Sequence, residues 1–259
     1  MGGEGSGDRP GHEFHGNQYG YGKSPERSVL PVPKFHKSAP YARLRVEGAG
    51  HTNEDYTRNW EKAKDKWNER DFKAESISDE EEYAVHKAYA GNVHAWDLNR
   101  YLRRGEYDAT LRDPAKMNIT INNIKNAITK QPTMPKGEEL WRGVQETNAE
   151  EGKKLVVGDV VADKGFTSTT YDLDHAQTFC DGDSSRYEVL YRIVTSGKER
   201  AIPGSESESE MIFQAGQKWE VTGIDEVFVD YMDPDLGVKH PDDTRPPVRY
   251  RIITVTGVD

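Results

Sequence analysis

Glu208-Ser209-Glu210-Met211-Ile212-Phe213 sets two carboxylates directly before an apolar run. Alone, Ser205-Glu206-Ser207-Glu208-Ser209-Glu210 is a low-complexity acidic stretch, and such charge runs are normally solvated. The residues beyond Glu210 change that expectation. Met211-Ile212-Phe213 has strand composition, and Gly216-Gln217-Lys218-Trp219-Glu220-Val221 supplies a turn and a second strand. Residues i and i+2 of a strand share a face. Glu208 and Glu210 are therefore expected on one side of a hairpin strand, with Met211 and Phe213 packed on the other.

Working outward, short runs rich in Val, Ile, Tyr, Phe and Thr fill the second half of the chain, at 139–144, 156–162, 165–170, 187–195, 210–214, 218–223, 225–231 and 247–256. The first half reads differently. Tyr56, Trp60, Ala63 and Trp67 recur at helical spacing behind a cap candidate in Thr52 or Asn53. Ser78 with Glu81 forms a capping-box signature. The helix it opens runs through Tyr83, Val85 and Tyr89, breaks at Gly91, and resumes through Trp96 and Leu98 to end at Gly105. Asp113-Pro114 starts a further helix with Met117, Ile121, Ile124 and Ile128 on one face. These aromatic and Ile stripes are expected to be core. Helices first and strands afterwards predict an α+β fold.

Residues 1–48 read as an arm and 49–259 as the folded domain. Glycine is dense up to Gly22, Pro31, Pro33 and Pro40 come next, and no periodicity is sustained. The N-terminus lacks the apolar run of a signal peptide, and no stretch approaches the ~20 apolar residues that span a bilayer. No membrane association is expected. A net charge of −10 argues against non-specific nucleic-acid binding and leaves basic protein targets open. Cys180, the single cysteine, forms no internal disulfide and is expected to be a small packed residue.

Common nucleotide motifs do not fit. Gly16 to Gly22-Lys23-Ser24 has one residue too many for a phosphate-binding Walker loop, and Gly48-Ala49-Gly50 lacks the third glycine of a dinucleotide fingerprint. His12-Glu13-Phe14-His15 has its histidines three apart, not at metalloprotease spacing, and no metal is expected. Arg142 in Leu140-Trp141-Arg142-Gly143-Val144 offers a planar fork suited to a pyrophosphate, although strand arginines more often form edge salt bridges. Gly143 permits close backbone approach to a flat ligand. Ser168-Thr169-Thr170, within Gly165-Phe166-Thr167-Ser168-Thr169-Thr170, is a hydroxyl run able to orient a carboxylate.

In this order the three segments resemble the Arg, Ser-Thr-Ser and Glu-x-Glu signature of mono-ADP-ribosyltransferases, a class that includes bacterial toxins and bacteriophage enzymes. The stretch Tyr89 to Arg103 and the position of Phe166 extend the resemblance over roughly Asn53 to Val258. It implies a two-sheet β core behind N-terminal helices, and NAD as co-substrate without a metal. Arg142 would bind the NAD phosphates and Gly143 the carboxamide. Ser168 would orient the catalytic Glu210, with Thr169 and Thr170 in support, although Thr170 replaces the usual serine. Glu208 would engage the acceptor, and an acid there is the family's pattern for arginine targets. The loop from Tyr171 to Arg186 would cover the ligand. The implied activity is transfer of ADP-ribose to arginines of target proteins, with an NAD glycohydrolase and a non-catalytic phage head-associated protein as alternatives. Arg9 to Tyr19 also resembles a short motif of bacteriophage head proteins, which implies phage head partners for the arm and a location in the virion or the bacterial host cytoplasm. An RNA or DNA acceptor remains a lesser alternative.

Overall fold

Asp113 accepts from the backbone N–H of Ala115 at 2.9 Å and Pro114 occupies the first turn of the helix it opens. This predicted start is therefore realised. In the computed structural model the described residues are 44, 53–70, 77–91, 95–107, 113–180, 187–230 and 247–259. The glycine-rich segment up to residue 43, with its His12–Tyr19 motif, lies outside them. Leu44, the described residue of the expected arm, is buried against the same cluster as Trp141 and Val248.

The helices are α1 (Asn53–Asn68), α2 (Asp79–Glu82), α3 (Ala95–Arg104) and α4 (Pro114–Lys130). Met117, Ile121, Ile124 and Ile128 of α4 are buried as predicted. Each such aliphatic side chain contributes on the order of 1.5–3 kcal/mol by leaving water. Both halves of the capping box at Ser78 and Glu81 form, and Lys130 holds the buried Glu81 at 2.7 Å. Helix α2 continues as a wider π-helical stretch, Tyr83–Tyr89, closed by a bond from Ala90 N–H to the Val85 carbonyl at 2.8 Å. Gly105 ends α3 with a φ of +70°.

Three aromatic expectations fail. Trp96 and Tyr83 are 70% and 65% exposed, because they fall on the solvent side of their helices, where Arg100 lies over the Trp96 ring. Trp60 is also exposed, and its indole N–H reaches the Ser207 carbonyl at 3.3 Å. Of the described side chains of the α1 stripe, Ala63 and Trp67 join the core, and that of Tyr56 lies outside those described. Spacing fixed a common face but not what it would meet.

The strands are β1 (Glu139–Val144), β2 (Val160–Ala162), β3 (Thr167–Thr170), β4 (Tyr187–Val194), β5 (Ala201–Pro203), β6 (Glu210–Phe213), β7 (Lys218–Val229) and β8 (Val248–Val258). The two strands expected at 218–223 and 225–231 are one, β7, interrupted by a bulge between Val221 and Gly223. Helices α5 (Glu146–Gly152) and α6 (Leu173–Gln177) and strand β5 carry no signal that periodicity detects, being too short. The order is β2-β7-β8-β4-β1-β3-β6-β5. The fold is α+β, as predicted. Its strands form one eight-stranded sheet, in which the two sheets expected are a larger part, β2-β7-β8-β4-β1, and a smaller part, β3-β6-β5, joined through the register pair Trp141–Thr170. The π-helical stretch, α3 and α4 pack on Ile202 and Ile212 of the smaller part. This order sets β1, β3 and β6, which carry the three chemical segments, side by side.

Candidate active site

Thr170 of β3 pairs with Trp141 of β1 on one side and with Glu210 of β6 on the other. The arginine, hydroxyl and glutamate segments thus meet at one sheet position.

Glu210 opens β6 and is 6% exposed. Its Oε2 accepts from the Ser205 N–H at 3.0 Å and its carbonyl from the Trp67 indole N–H at 2.8 Å. Burial pushes its carboxyl above the ordinary carboxylate range, and the charge of Glu208 adds to this. The Ser205 N–H, the Ser168 side chain and His175 act in the opposite direction.

Ser168 is the expected orienting residue, and the structure shows what orients it. Asn99 Nδ2 donates to the Tyr89 hydroxyl at 2.8 Å, and that hydroxyl lies 2.9 Å from Ser168 Oγ. Burial, with the Glu210 charge, pushes the Tyr89 phenol up to about 12, so it keeps its proton. With Asn99 as donor, the consistent direction is Asn99 to Tyr89 to Ser168 to Glu210, ending on the one group that only accepts. Asn99 Oδ1 also accepts from the Phe166 N–H at 2.8 Å, which ties α3 to the start of β3. Thr169 Oγ1 donates to the Met211 carbonyl at 2.9 Å and Thr170 Oγ1 to the Glu208 carbonyl at 2.6 Å. The two threonines therefore fasten the glutamate segment, and the hydroxyl kept at Thr170 is used.

Contrary to expectation, Glu208 does not share a strand face with Glu210. Glu208 lies in a 3-10 turn, Glu206–Glu208, and Ser209 adopts a left-handed φ of 47° before the strand begins. The two carboxylates are neighbours because the chain turns there. A buried Ser209 followed by a strand limited to Glu210–Phe213 leaves Glu208 outside the pleat.

Arg142 donates from Nη1 to the Ser168 carbonyl at 3.2 Å and from Nη2 to Asp163 Oδ2 at 3.3 Å. Asp163 also receives Arg103 at 2.7 and 2.5 Å. Burial alone would push Asp163 up, yet Arg103 and Arg142 together hold its carboxyl below the usual range. The arginine fork thus already has a salt bridge of the kind that strand arginines commonly form. A cavity of about 620 Å³ opens on this side, with Arg103, Arg104, Arg142, Lys154 and Lys164 among its lining. Thr167, next to Ser168 on β3, also lines it, while Ser168 and Glu210 do not.

Gly143 has no room for a side chain. A Cβ there would overlap the Ala176 carbonyl and come within 3.0 Å of the backbone of Phe179 and Cys180. Helix α6, capped by the Asp172 side chain on the Asp174 N–H at 2.9 Å, lies directly on this strand. Of the loop expected to cover the ligand, Tyr171–Cys180 is described and passes over Gly143, while 181–186 lies outside the described residues. Cys180 is buried, as expected. Tyr89, Asn99, Asp163, Gly204, His175 and Phe179 were not singled out from sequence as site residues, because their partners are remote in the chain.

Comparison with known proteins agrees with this geometry. The family model of the ADP-ribosyltransferase exoenzymes matches residues 64–235. The chain belongs to this family. NAD is accordingly its substrate, and transfer of ADP-ribose its class of reaction. No curated protein sequence matches the chain. Among solved structures, the Vis toxin of Vibrio splendidus is 21% identical, with a TM-score of 0.57 over 81% of this chain and 88% of that one. The Plx2a toxin of Paenibacillus larvae is 15% identical, with a TM-score of 0.51 over 80% of this chain and 96% of that one. The BECa toxin of C. perfringens, solved with NADH, is 17% identical, with a TM-score of 0.54 over 79% of this chain and 48% of that one. This ADP-ribosyltransferase therefore shares a toxin fold, with its three signature segments on adjacent strands.

Proposed function

We propose that the enzyme transfers ADP-ribose from NAD to arginine side chains of target proteins, releasing nicotinamide. The observation that carries this reading is the pairing of a buried Glu210 with a second, partly exposed carboxylate, Glu208, at the next turn. The Vis toxin, which shares the fold, has been solved with agmatine, a small guanidine.

In the reaction the bond between the ribose C1′ and the nicotinamide nitrogen breaks, and its electron pair leaves with nicotinamide. Glu210, ionised and held by Ser168 and Ser205, stabilises the positive charge that develops on the ribose. A guanidinium nitrogen of the acceptor then bonds to C1′ and gives up one proton, and Glu208 orients that group and accepts the proton. Arg142 engages the NAD phosphates, exchanging part of its contact with Asp163 for them. The basic rim of the adjoining cavity takes the remainder of the dinucleotide. Phe179, 46% exposed at the end of α6 and next to Gly143, is the aromatic that stacks on the nicotinamide ring.

The targets we infer are bacterial host proteins, met by an enzyme carried in or made by a bacteriophage, since Arg9 to Tyr19 resembles a phage head motif. The test measures nicotinamide release and labelling of agmatine or lysate proteins from labelled NAD. Glu210→Gln should abolish both, whereas Glu208→Gln should abolish labelling and leave slow release. Equal labelling by the Glu208 variant and the parent would refute the acceptor role. Release of ADP-ribose without labelled product would make the enzyme a glycohydrolase.

A further inference from the structure

We propose that His175 is a positioning residue for the acceptor carboxylate: its Nε2–H holds Glu208 toward the incoming guanidinium. The inference rests on the acceptor role proposed for Glu208. His175 lies in α6, the helix that covers Gly143, and its Nε2 is 3.7 Å from Glu208 Oε2. That nitrogen is shielded from solvent and has no hydrogen-bond partner among the described residues. A buried polar nitrogen left unmatched is costly, and the Glu208 carboxylate is the group it faces across the remaining gap.

The surrounding groups leave this pairing as the consistent one. On α6 itself, Asp172 caps the helix through the Asp174 N–H, and Asp174 receives Asn59 of α1 at 3.0 Å. From the turn, Glu206 is held by Lys64 of α1 at 2.6 Å. From β6, Glu210 is held by Ser205 and Ser168. A lone pair on Nε2 would repel the Glu208 oxygen, so the nitrogen facing it carries the hydrogen, in either the neutral tautomer or the imidazolium. The imidazole is also fixed in plane by the Phe179 ring, edge to face at 5.1 Å. One side chain therefore touches both the aromatic assigned to nicotinamide and the carboxylate assigned to the acceptor. Its larger effect falls on the second step, attack by the guanidine, because it faces Glu208 directly and reaches Glu210 only through its charge.

The experiment compares the full chain with His175→Leu and His175→Gln, reading nicotinamide release without acceptor and labelling of agmatine from labelled NAD. Leu removes the donor, whereas the Gln amide places an N–H at nearly the same reach. His175→Leu should lower agmatine labelling roughly tenfold to a hundredfold, the loss of one hydrogen bond to a charged group, and lower acceptor-free release far less, since His175 bears on Glu210 only through its charge. His175→Gln should restore most of the labelling. Equal loss of acceptor-free release, or no rescue by Gln, would overturn the assignment. A parent that releases nicotinamide but never labels agmatine would overturn the transferase reading. A parent that labels, with His175→Leu indifferent, would overturn the His175 assignment alone.

Discussion

The Glu210 carboxylate occupies the space that a side chain at Gly204 would fill. A Cβ built on Gly204 would overlap Glu210 Oε2 and lie 2.8 Å from its Cδ, while the Gly204 N–H donates to the Glu210 carbonyl at 2.9 Å. The turn between them folds back on the glutamate it delivers, so a glycine outside the signature helps define where the carboxylate sits.

Gly204→Ala should therefore act as a catalytic lesion. The carboxylate must move by an ångström or so, and a misplacement of that size costs roughly a hundredfold in rate. Nicotinamide release should fall by about that factor while the circular dichroism spectrum stays that of the parent. A parental rate would mean that the carboxylate does not sit over Gly204.

Glu210→Gln should be inactive and more stable. The folded state raises this carboxyl's pKa, chiefly by burial, so it holds a proton that the unfolded chain has already released. Stability then falls as pH rises through that interval, and the ionised carboxylate destabilises the fold at neutral pH. The Gln variant should melt above the parent at neutral pH, with the difference vanishing in acid. About 1 kcal/mol would move Tm by roughly 2–4 °C. A lower Tm for the variant at neutral pH would show that the charge is stabilised by its hydrogen bonds. In the parent, the acid limb of nicotinamide release should lie above the ordinary carboxylate range.

Arg142→Lys should fail despite keeping the charge. The guanidinium reaches the Ser168 carbonyl from one nitrogen and Asp163 from the other, and an ammonium cannot make that fork. NAD affinity, measured by calorimetry, should drop about tenfold or more, as expected for loss of a hydrogen bond to a charged group. Parental affinity would reduce Arg142 to a point charge.

Gly143→Ala should destabilise the protein. The methyl group would meet the backbone of α6 at Ala176, which no side-chain rotation relieves. A loss of about 3 kcal/mol, the upper part of the overpacking range, should appear in urea unfolding. An unchanged midpoint would place α6 further from β1.

The amino-acid sequence by itself determined a good deal. Ser78 and Glu81, Asp113 and Pro114, and Gly105 marked helix ends because capping is chemistry among residues within one turn. Strands β1, β4 and β6 carried β-rich composition within a few residues of their bounds, and Arg142, Ser168 and Glu210 stood in recognisable segments. The tertiary structure decided the rest. Only strand order put Thr170 between Trp141 and Glu210, and only packing of the π-helical turn brought the Tyr89 hydroxyl to Ser168. The left-handed Ser209 moved Glu208 out of the strand assumed for it, and Trp96 proved exposed although its spacing was that of a core residue. Periodicity records that residues share a face. Which face is buried, and against what, is settled by contacts between segments far apart in the chain, whose energy appears only once both are in place.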